Sequence, residues 1–168
     1  MKTITLSLIA CLSSLILSAQ QIPDVNLRDV DGNPVSSLEV SQPGEATLLV
    51  FWKSTSGKCC ENLENLYEAW TGSLKLRGIK MVAICVDCNG SWSHVKPIVN
   101  GNGWDFETYI DVNGDFRRAL GVGDVPCSML FDGNQNLVCR YNSGCTGSSD
   151  FICENILNHL ALLTSSAE

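Results

Sequence analysis

Residues 46–60 read ATLLVFWKSTSGKCC, and this stretch decides the fold. Its first seven residues are apolar apart from one threonine, which is typical of a strand buried on both faces of a parallel sheet. A polar turn follows, and over residues 58–76 apolar side chains recur three or four positions apart, which predicts an amphipathic helix. The stretch therefore predicts a strand that passes through a short turn into a helix, with Cys59 in the first helical turn.

Strands and helices alternate along the rest of the chain. A β-hairpin is predicted around the turn Asp31-Gly32-Asn33-Pro34, and further strands are predicted over IKMVAICVD, FETYID, CSMLFD and NLVCRY. Helical patterns separate most of these strands and close the chain. The alternation predicts one α/β domain over residues 21–168, with helices flanking a central, mixed and largely parallel sheet.

The first twenty residues have the composition of a secretory signal peptide, with one lysine, an apolar run and small residues before a polar exit. We therefore expect a signal peptide over residues 1–20 and a periplasmic or secreted protein. A lipoprotein anchored through Cys11 is the alternative. No later run approaches the length of a membrane span. The formal net charge is −7 and no basic residues cluster, which argues against a nucleic-acid partner.

Cysteines are the chemically distinctive residues of this chain, which has nine of them. A cysteine in the first turn of a helix has its thiolate stabilised by free backbone N–H groups and by the helix dipole, and Cys59 is predicted to lie at such a place. Ser56 is predicted to be the N-cap of that helix. Cys85 and Cys88 form a C-x-x-C spacing at the end of a buried strand, where ligand sites of open α/β sheets gather.

With these features the chain resembles the TlpA-like thioredoxin-fold proteins of bacterial envelopes, which belong to the wider redoxin and alkyl hydroperoxide reductase group. The resemblance covers the predicted mature chain and rests on four segments: IPDVNLRDVDGNPVSSL, LLVFWKSTSGKC, the strand ending in AICVD, and YIDVNGDFRRALGVGDVPCSMLFDGNQNLV. It implies a thioredoxin-like fold with an N-terminal β-hairpin extension. It also implies a thiol–disulfide oxidoreductase that acts on protein thiols, disulfides or an extended peptide, without a cofactor.

The resemblance assigns roles to individual residues. Pro126 matches the family's cis-proline, whose loop packs against the redox motif, and the turn beside Cys59 is expected to keep some solvent access. Ser56 stands where the family has the first, attacking cysteine of its C-x-x-C motif. Disulfide exchange needs an attacking thiolate, so the ordinary dithiol cycle is predicted to be absent. The catalytic candidates are Cys59, Ser56 and Pro126.

Other roles for the cysteines stay open. Cys59 acting alone as a one-cysteine peroxidase is one alternative, and a thiolate cluster that binds zinc or Cu(I) is another, although no metal ligand is assigned. Candidate redox or resolving partners come from segments that the fold brings to one edge of the sheet: Cys60, Cys85, Cys88 and Cys127.

A non-catalytic module is the competing class of function. It would keep the groove of the fold for an extended peptide and use its cysteines as structural disulfides. Cys139 and Cys145 flank a predicted loop, and their spacing suits such a disulfide.

Overall fold

A computed structural model describes residues 20–87, 91–142 and 149–165 of the chain. Its strands are, in chain order, β1 (Asn26–Asp29), β2 (Pro34–Ser36), β3 (Thr47–Trp52), β4 (Lys80–Cys85), β5 (Glu107–Ile110), β6 (Cys127–Phe131) and β7 (Leu137–Asn142). They form one seven-stranded sheet in the order β2-β1-β5-β4-β3-β6-β7. Its α-helices are α1 (Gly57–Ala69), α2 (Val95–Asn102), α3 (Asp115–Ala119) and α4 (Ser149–Ser165). This is a thioredoxin-like fold with a mixed sheet, as predicted.

Parallel pairing is confined to the centre of the sheet. Strand β3 pairs in parallel with β4, and β4 pairs in parallel with β5. The four outer pairings are antiparallel, so the prediction of a largely parallel sheet applies to the three central strands alone. All six residues of β3 are buried, because helices or loops cover the middle of the sheet on both faces.

The N-terminal hairpin forms at the predicted turn. Strands β1 and β2 pair antiparallel, and the Asp29 carboxylate accepts hydrogen bonds from the backbone N–H groups of Asp31 and Asn33. Gly32 has a positive φ of 87°, a conformation that costs glycine little. The hairpin extends the sheet because β1 also pairs with β5.

Helix α1 begins at Gly57 and continues past its regular part into a π-helical turn, Trp70–Leu74, and a 3-10 turn, Lys75–Arg77. Gly78 ends it in the left-handed conformation, with a φ of 72°. The predicted helix over residues 58–76 is therefore confirmed as a helical segment. The indole N–H of Trp70 donates to the carbonyl of Ile79 at 2.7 Å, which ties the end of the helix to the chain entering β4.

Two apolar cores lie on opposite faces of the sheet. One is built from β-strand residues together with side chains of α1, α2 and α4, among them Leu63, Val95 and Ile156. The other contains Phe116 of α3 and the loop that follows it. Side chains of neighbouring residues on a strand point to opposite faces, so each core receives alternate residues of β3. This division decides which cysteines can meet.

The predicted signal peptide and Cys11 lie outside the described residues, apart from Gln20. Among the helices that the structure describes, none combines the length and apolar character needed to cross a membrane.

Candidate functional site

The turn between β3 and α1 is closed by Ser56. Its side-chain oxygen accepts a hydrogen bond from the backbone N–H of Cys59 at 3.3 Å, and its carbonyl accepts from the N–H groups of Cys59 and Cys60 at 3.0 Å. Serine is a favoured N-cap because its short side chain satisfies an N–H that the helix leaves unpaired. The predicted N-cap is confirmed, so Ser56 has a structural role whether or not it takes part in chemistry.

Cys59 is buried, with 1 % of its surface exposed. It lies on the same face of α1 as Leu63 and Leu66, at helical spacings of four and seven residues, and this face packs onto the sheet. The expectation that the turn leaves Cys59 open to solvent is therefore wrong. A thiol in this position can meet an external substrate only if the helix start moves.

Cys60 is the more accessible thiol of the turn. It is part-buried at the edge of the same core, and its Sγ donates toward the carbonyl oxygen of Ser54 at 3.7 Å. Burial raises the pKa of the Cys60 thiol, and the neighbouring Cys59 and the Asp87 carboxylate raise it further. At neutral pH this thiol is therefore mostly protonated.

Cys85 ends strand β4 directly beside the turn. It is fully buried and lies opposite Trp52 in the parallel pairing of β3 with β4, so the two side chains share a face of the sheet. Burial raises the pKa of the Cys85 thiol to about 12, whereas hydrogen bonds with the backbone of Asp87 and Ser54 act in the opposite direction. The negative charge of Asp87 also disfavours the Cys85 thiolate.

Asp87 completes the group, and the sequence reasoning missed it. Its carboxylate is 4 % exposed and accepts hydrogen bonds from the backbone N–H of Ser54, at 3.1 Å, and from the Ser54 hydroxyl. A buried carboxylate needs such donors to offset its lost hydration. The available signal was its position, because an acidic residue directly after a buried strand falls at the edge where sites of α/β sheets gather.

Cys127 does not join this group of thiols. It lies opposite Phe51 in the pairing of β3 with β6, and both side chains belong to the second core, on the other face of the sheet. Its Sγ donates to the Asn142 side-chain oxygen at 3.4 Å. The predicted convergence of Cys127 with Cys59 therefore fails: the segments meet at one sheet edge, but the side chains diverge.

The remaining predicted residues are settled only in part. The peptide bond between Val125 and Pro126 is cis, as the family resemblance implied. Cys139 lies on β7, where its Sγ donates to the Tyr141 hydroxyl at 3.4 Å and burial raises its pKa. Cys88 and Cys145 lie outside the described residues, so the proposed disulfide between Cys139 and Cys145 stays a prediction.

Within the described ranges, none of the six cysteines is joined to another by a disulfide, and no three histidine, cysteine or acidic side chains are grouped as a metal site would require. The thiols that the structure brings together are Cys59, Cys60 and Cys85, with Ser54 and Asp87 beside them. We call these five residues the thiol cluster.

Comparison with known proteins decides the family. Residues 19–144 match the model of the AhpC/TSA family, which is three quarters of the chain. The chain belongs to the AhpC/TSA family. A search of curated proteins gave no match to this AhpC/TSA-family chain.

Solved structures similar to this AhpC/TSA-family chain share its thioredoxin-like fold. A thioredoxin-like protein from Porphyromonas gingivalis is 26 % identical, with a TM-score of 0.71 over 84 % of this chain and 92 % of that one. A protein from Chlorobium tepidum named as the thiol:disulfide interchange protein DsbE is 22 % identical, with a TM-score of 0.70 over 84 % and 96 %. A secreted Mycobacterium tuberculosis disulfide oxidoreductase is 14 % identical, with a TM-score of 0.64 over 80 % and 95 %.

Proposed function

We propose that this chain is a thiol–disulfide redoxin of the cell envelope that exchanges electrons with cysteine thiols and disulfides of other proteins. One observation carries the proposal: three cysteines on adjoining elements, Cys59, Cys60 and Cys85, lie on one face of the sheet where β3 and β4 end. The carboxyl ends of parallel strands are where α/β folds place their chemistry. The thiols therefore lie at the functional edge of the fold.

The exchange is atypical, because Ser56 stands at the start of the helix where an attacking thiol is needed. A serine hydroxyl does not replace a thiolate in disulfide exchange. The reacting thiol must then come from the rest of the thiol cluster. A one-cysteine peroxidase centred on Cys59 has less support, because that sulfur is buried beneath α1.

The envelope location rests on the N-terminal sequence. Residues 1–20 have the pattern of a signal peptide, and a secreted disulfide oxidoreductase is among the proteins with a similar fold. An oxidising compartment also suits a chain with eight cysteines after residue 20. We therefore place the domain at residues 21–168 and its substrates outside the cytoplasm.

A non-catalytic peptide-binding module is the second candidate. The burial of Cys59 and the replacement of the attacking cysteine by Ser56 both favour it. Such a module would bind an extended peptide through main-chain groups and leave the substrate's disulfides unchanged.

A fluorescence assay separates the two candidates. The probe is a glutathione disulfide that carries a self-quenching dye on each half, reduced with dithiothreitol in the presence of the protein. We expect the unmutated protein to accelerate the loss of quenching and the variant with Cys59, Cys60 and Cys85 all changed to serine to match dithiothreitol alone. The Cys139→Ser variant, altered away from the cluster, is the matched control and should retain the activity. Equal rates for the unmutated protein and the triple variant would favour the binding module.

A further inference from the structure

Two thiols of the cluster lie beside the same residue of the turn. Cys60 Sγ lies 3.7 Å from the carbonyl oxygen of Ser54. Cys85 ends β4 opposite Trp52, two residues before Ser54, and the backbone of Ser54 lowers the pKa of the Cys85 thiol against the larger effect of burial. The two cysteines belong to different elements, α1 and β4, which meet at this turn. A disulfide between them would therefore join the start of the helix to the end of the central strand.

A redox pair needs one accessible thiol and one sheltered thiol, and Cys60 and Cys85 differ in this way. Cys60 is part-buried and can be reached from solvent, whereas Cys85 is fully buried. In thiol–disulfide exchange, one thiol attacks an external disulfide and a second resolves the mixed disulfide. The exposed thiol can meet the substrate, and the buried thiol is protected from competing substrates until a mixed disulfide forms.

Cys59 is a poor candidate for the attacking thiol and a poor disulfide partner for Cys60. It is buried, so it cannot attack a substrate from its place beneath α1. Cys59 and Cys60 are consecutive residues of a helix, and their side chains point about 100° apart around its axis. A disulfide between them would require the first turn of α1 to unwind, whereas a bond between α1 and β4 leaves the helix intact.

Asp87 is the candidate proton acceptor for the buried Cys85 thiol. It lies two residues along the chain from Cys85, and its carboxylate is held by the N–H and hydroxyl of Ser54. Its negative charge raises the pKa of both Cys85 and Cys60, in each case with burial as the larger cause.

We propose that Cys60 and Cys85 are the redox pair of this protein, with Cys60 as the attacking thiol, Cys85 as the resolving thiol and Asp87 as the proton acceptor of Cys85. The assignment rests on the proposed function, because it names the residues that carry out the exchange. It moves the redox pair from the usual positions of the helix start, Ser56 and Cys59, to the junction of α1 with β4.

The exchange balances in two steps. Cys60 first loses its proton to solvent, and its thiolate then attacks one sulfur of the substrate disulfide, whose S–S bond breaks. The departing substrate sulfur takes up a proton from solvent, and Cys60 is left in a mixed disulfide. Cys85 then gives its proton to Asp87 and attacks the Cys60 sulfur, which releases the second substrate sulfur; Asp87 returns the proton to that sulfur. The substrate disulfide is reduced to two thiols, and the dithiol of the protein is oxidised to a disulfide. A dithiol reductant such as dithiothreitol restores it.

Disulfide mapping tests the pair directly. Trypsin puts Cys59 and Cys60 in one peptide, residues 59–75, and Cys85 with Cys88 in another, residues 81–117, because the Lys96–Pro97 bond resists cleavage. The protein is therefore oxidised with glutathione disulfide in the Cys59→Ser, Cys88→Ser background. We expect the two peptides to remain linked there and to separate when Cys60→Ser or Cys85→Ser is added. Separate peptides in the double variant, with both thiols free, would overturn the assignment.

A trapping experiment tests the order of the two steps. In the Cys85→Ser variant the mixed disulfide cannot be resolved, so glutathione disulfide should leave one glutathione on Cys60. In the unmutated protein, Cys60 should carry no glutathione. An adduct on Cys59, or no adduct, would contradict the assignment. In the dye assay, activity that survives Cys60→Ser and Cys85→Ser but is lost in Cys59→Ser would keep the proposed function and reject this pair. No activity in the unmutated protein would reject the proposed function itself.

Discussion

Ser56 and Cys59 have the spacing of a C-x-x-C motif, with serine in the first position. The Ser56 side chain caps α1, and the thiol three residues later, Cys59, is buried beneath the same helix. In a C-x-x-C motif the first cysteine attacks and the second, sheltered one resolves. In this chain the second position holds the buried Cys59 and the first position holds serine.

The Ser56→Cys substitution should therefore restore the missing thiol. We expect the reduction of insulin disulfides by dithiothreitol to rise by about tenfold or more over that of the unmutated protein, because a part-buried cysteine would then precede the buried Cys59 at a helix start. Ser56→Ala is the control: it should lose about 1 kcal/mol of stability with the cap and gain no activity. A Ser56→Cys protein no faster than the Ser56→Ala protein would show that Cys59 cannot resolve a disulfide.

Asp87 contributes to the raised pKa of Cys60, after burial and the neighbouring Cys59. Because burial, Cys59 and the Asp87 carboxylate raise the pKa of the Cys60 thiol, its labelling by iodoacetamide should still be rising at a pH where an ordinary thiol, with a pKa of about 8.5, has levelled off. The Asp87→Asn variant removes the negative charge and should label Cys60 about two- to tenfold faster at pH 7.5. Peptide-resolved mass spectrometry in the Cys59→Ser background reads this rate. An unchanged labelling rate of Cys60 in Asp87→Asn would show that the carboxylate does not affect the Cys60 thiol.

At the scale of elements, the loop between α3 and β6 is held by two arginines. Arg117 donates to the carbonyls of Val122 and Gly123 at 3.0 and 2.8 Å. Arg140, on β7, donates to the carbonyls of Gly121 and Leu120 at 2.9 and 2.5 Å. Four consecutive carbonyls are thus satisfied by charged donors just before the segment that carries Pro126. The contacts of Arg140 could not be predicted from the sequence, because they join residues about twenty positions apart.

Loss of one arginine should loosen this loop. We expect Arg140→Gln to lower the free energy of unfolding by about 1–3 kcal/mol, because it leaves carbonyl groups without their charged donors. Arg118→Gln is the matched control, since Arg118 is 66 % exposed and pairs with Asp115 on the surface, and its loss should cost no more than about 0.5 kcal/mol. Urea unfolding followed by tryptophan fluorescence measures both. Equal midpoints for the two variants would contradict the role given to Arg140.

At the scale of the whole molecule, much of the fold could be predicted from the sequence because local signals agreed with the tertiary structure. The apolar run of β3 predicted a strand buried on both faces, and the Asp31–Pro34 turn predicted the hairpin. The burial of Cys59 could also have been predicted, because Cys59, Leu63, Leu66 and Trp70 repeat at helical spacing. The resemblance to the family instead led to the expectation that Cys59 is accessible to solvent.

The arrangement of the thiols could not be predicted in the same way. Whether Cys127 meets Cys59 depends on which face of the sheet its side chain takes, and a shift of one residue in strand register reverses that face. The register of β6 against β3, with Cys127 opposite Phe51, is a tertiary fact. The contact of Cys60 with Ser54 likewise depends on how α1 packs on the sheet.

If Cys60 and Cys85 are a redox pair, they gain and lose electrons together, and a redox titration measures this. The unmutated protein is equilibrated in glutathione buffers of graded composition, its free thiols are alkylated, and fragmentation of the tryptic peptides assigns the label to each cysteine. Cys60 and Cys85 should lose their label together in a single two-electron transition, while Cys59 stays labelled under denaturing conditions. A Cys60 that stays reduced throughout, or that changes without Cys85, would contradict it.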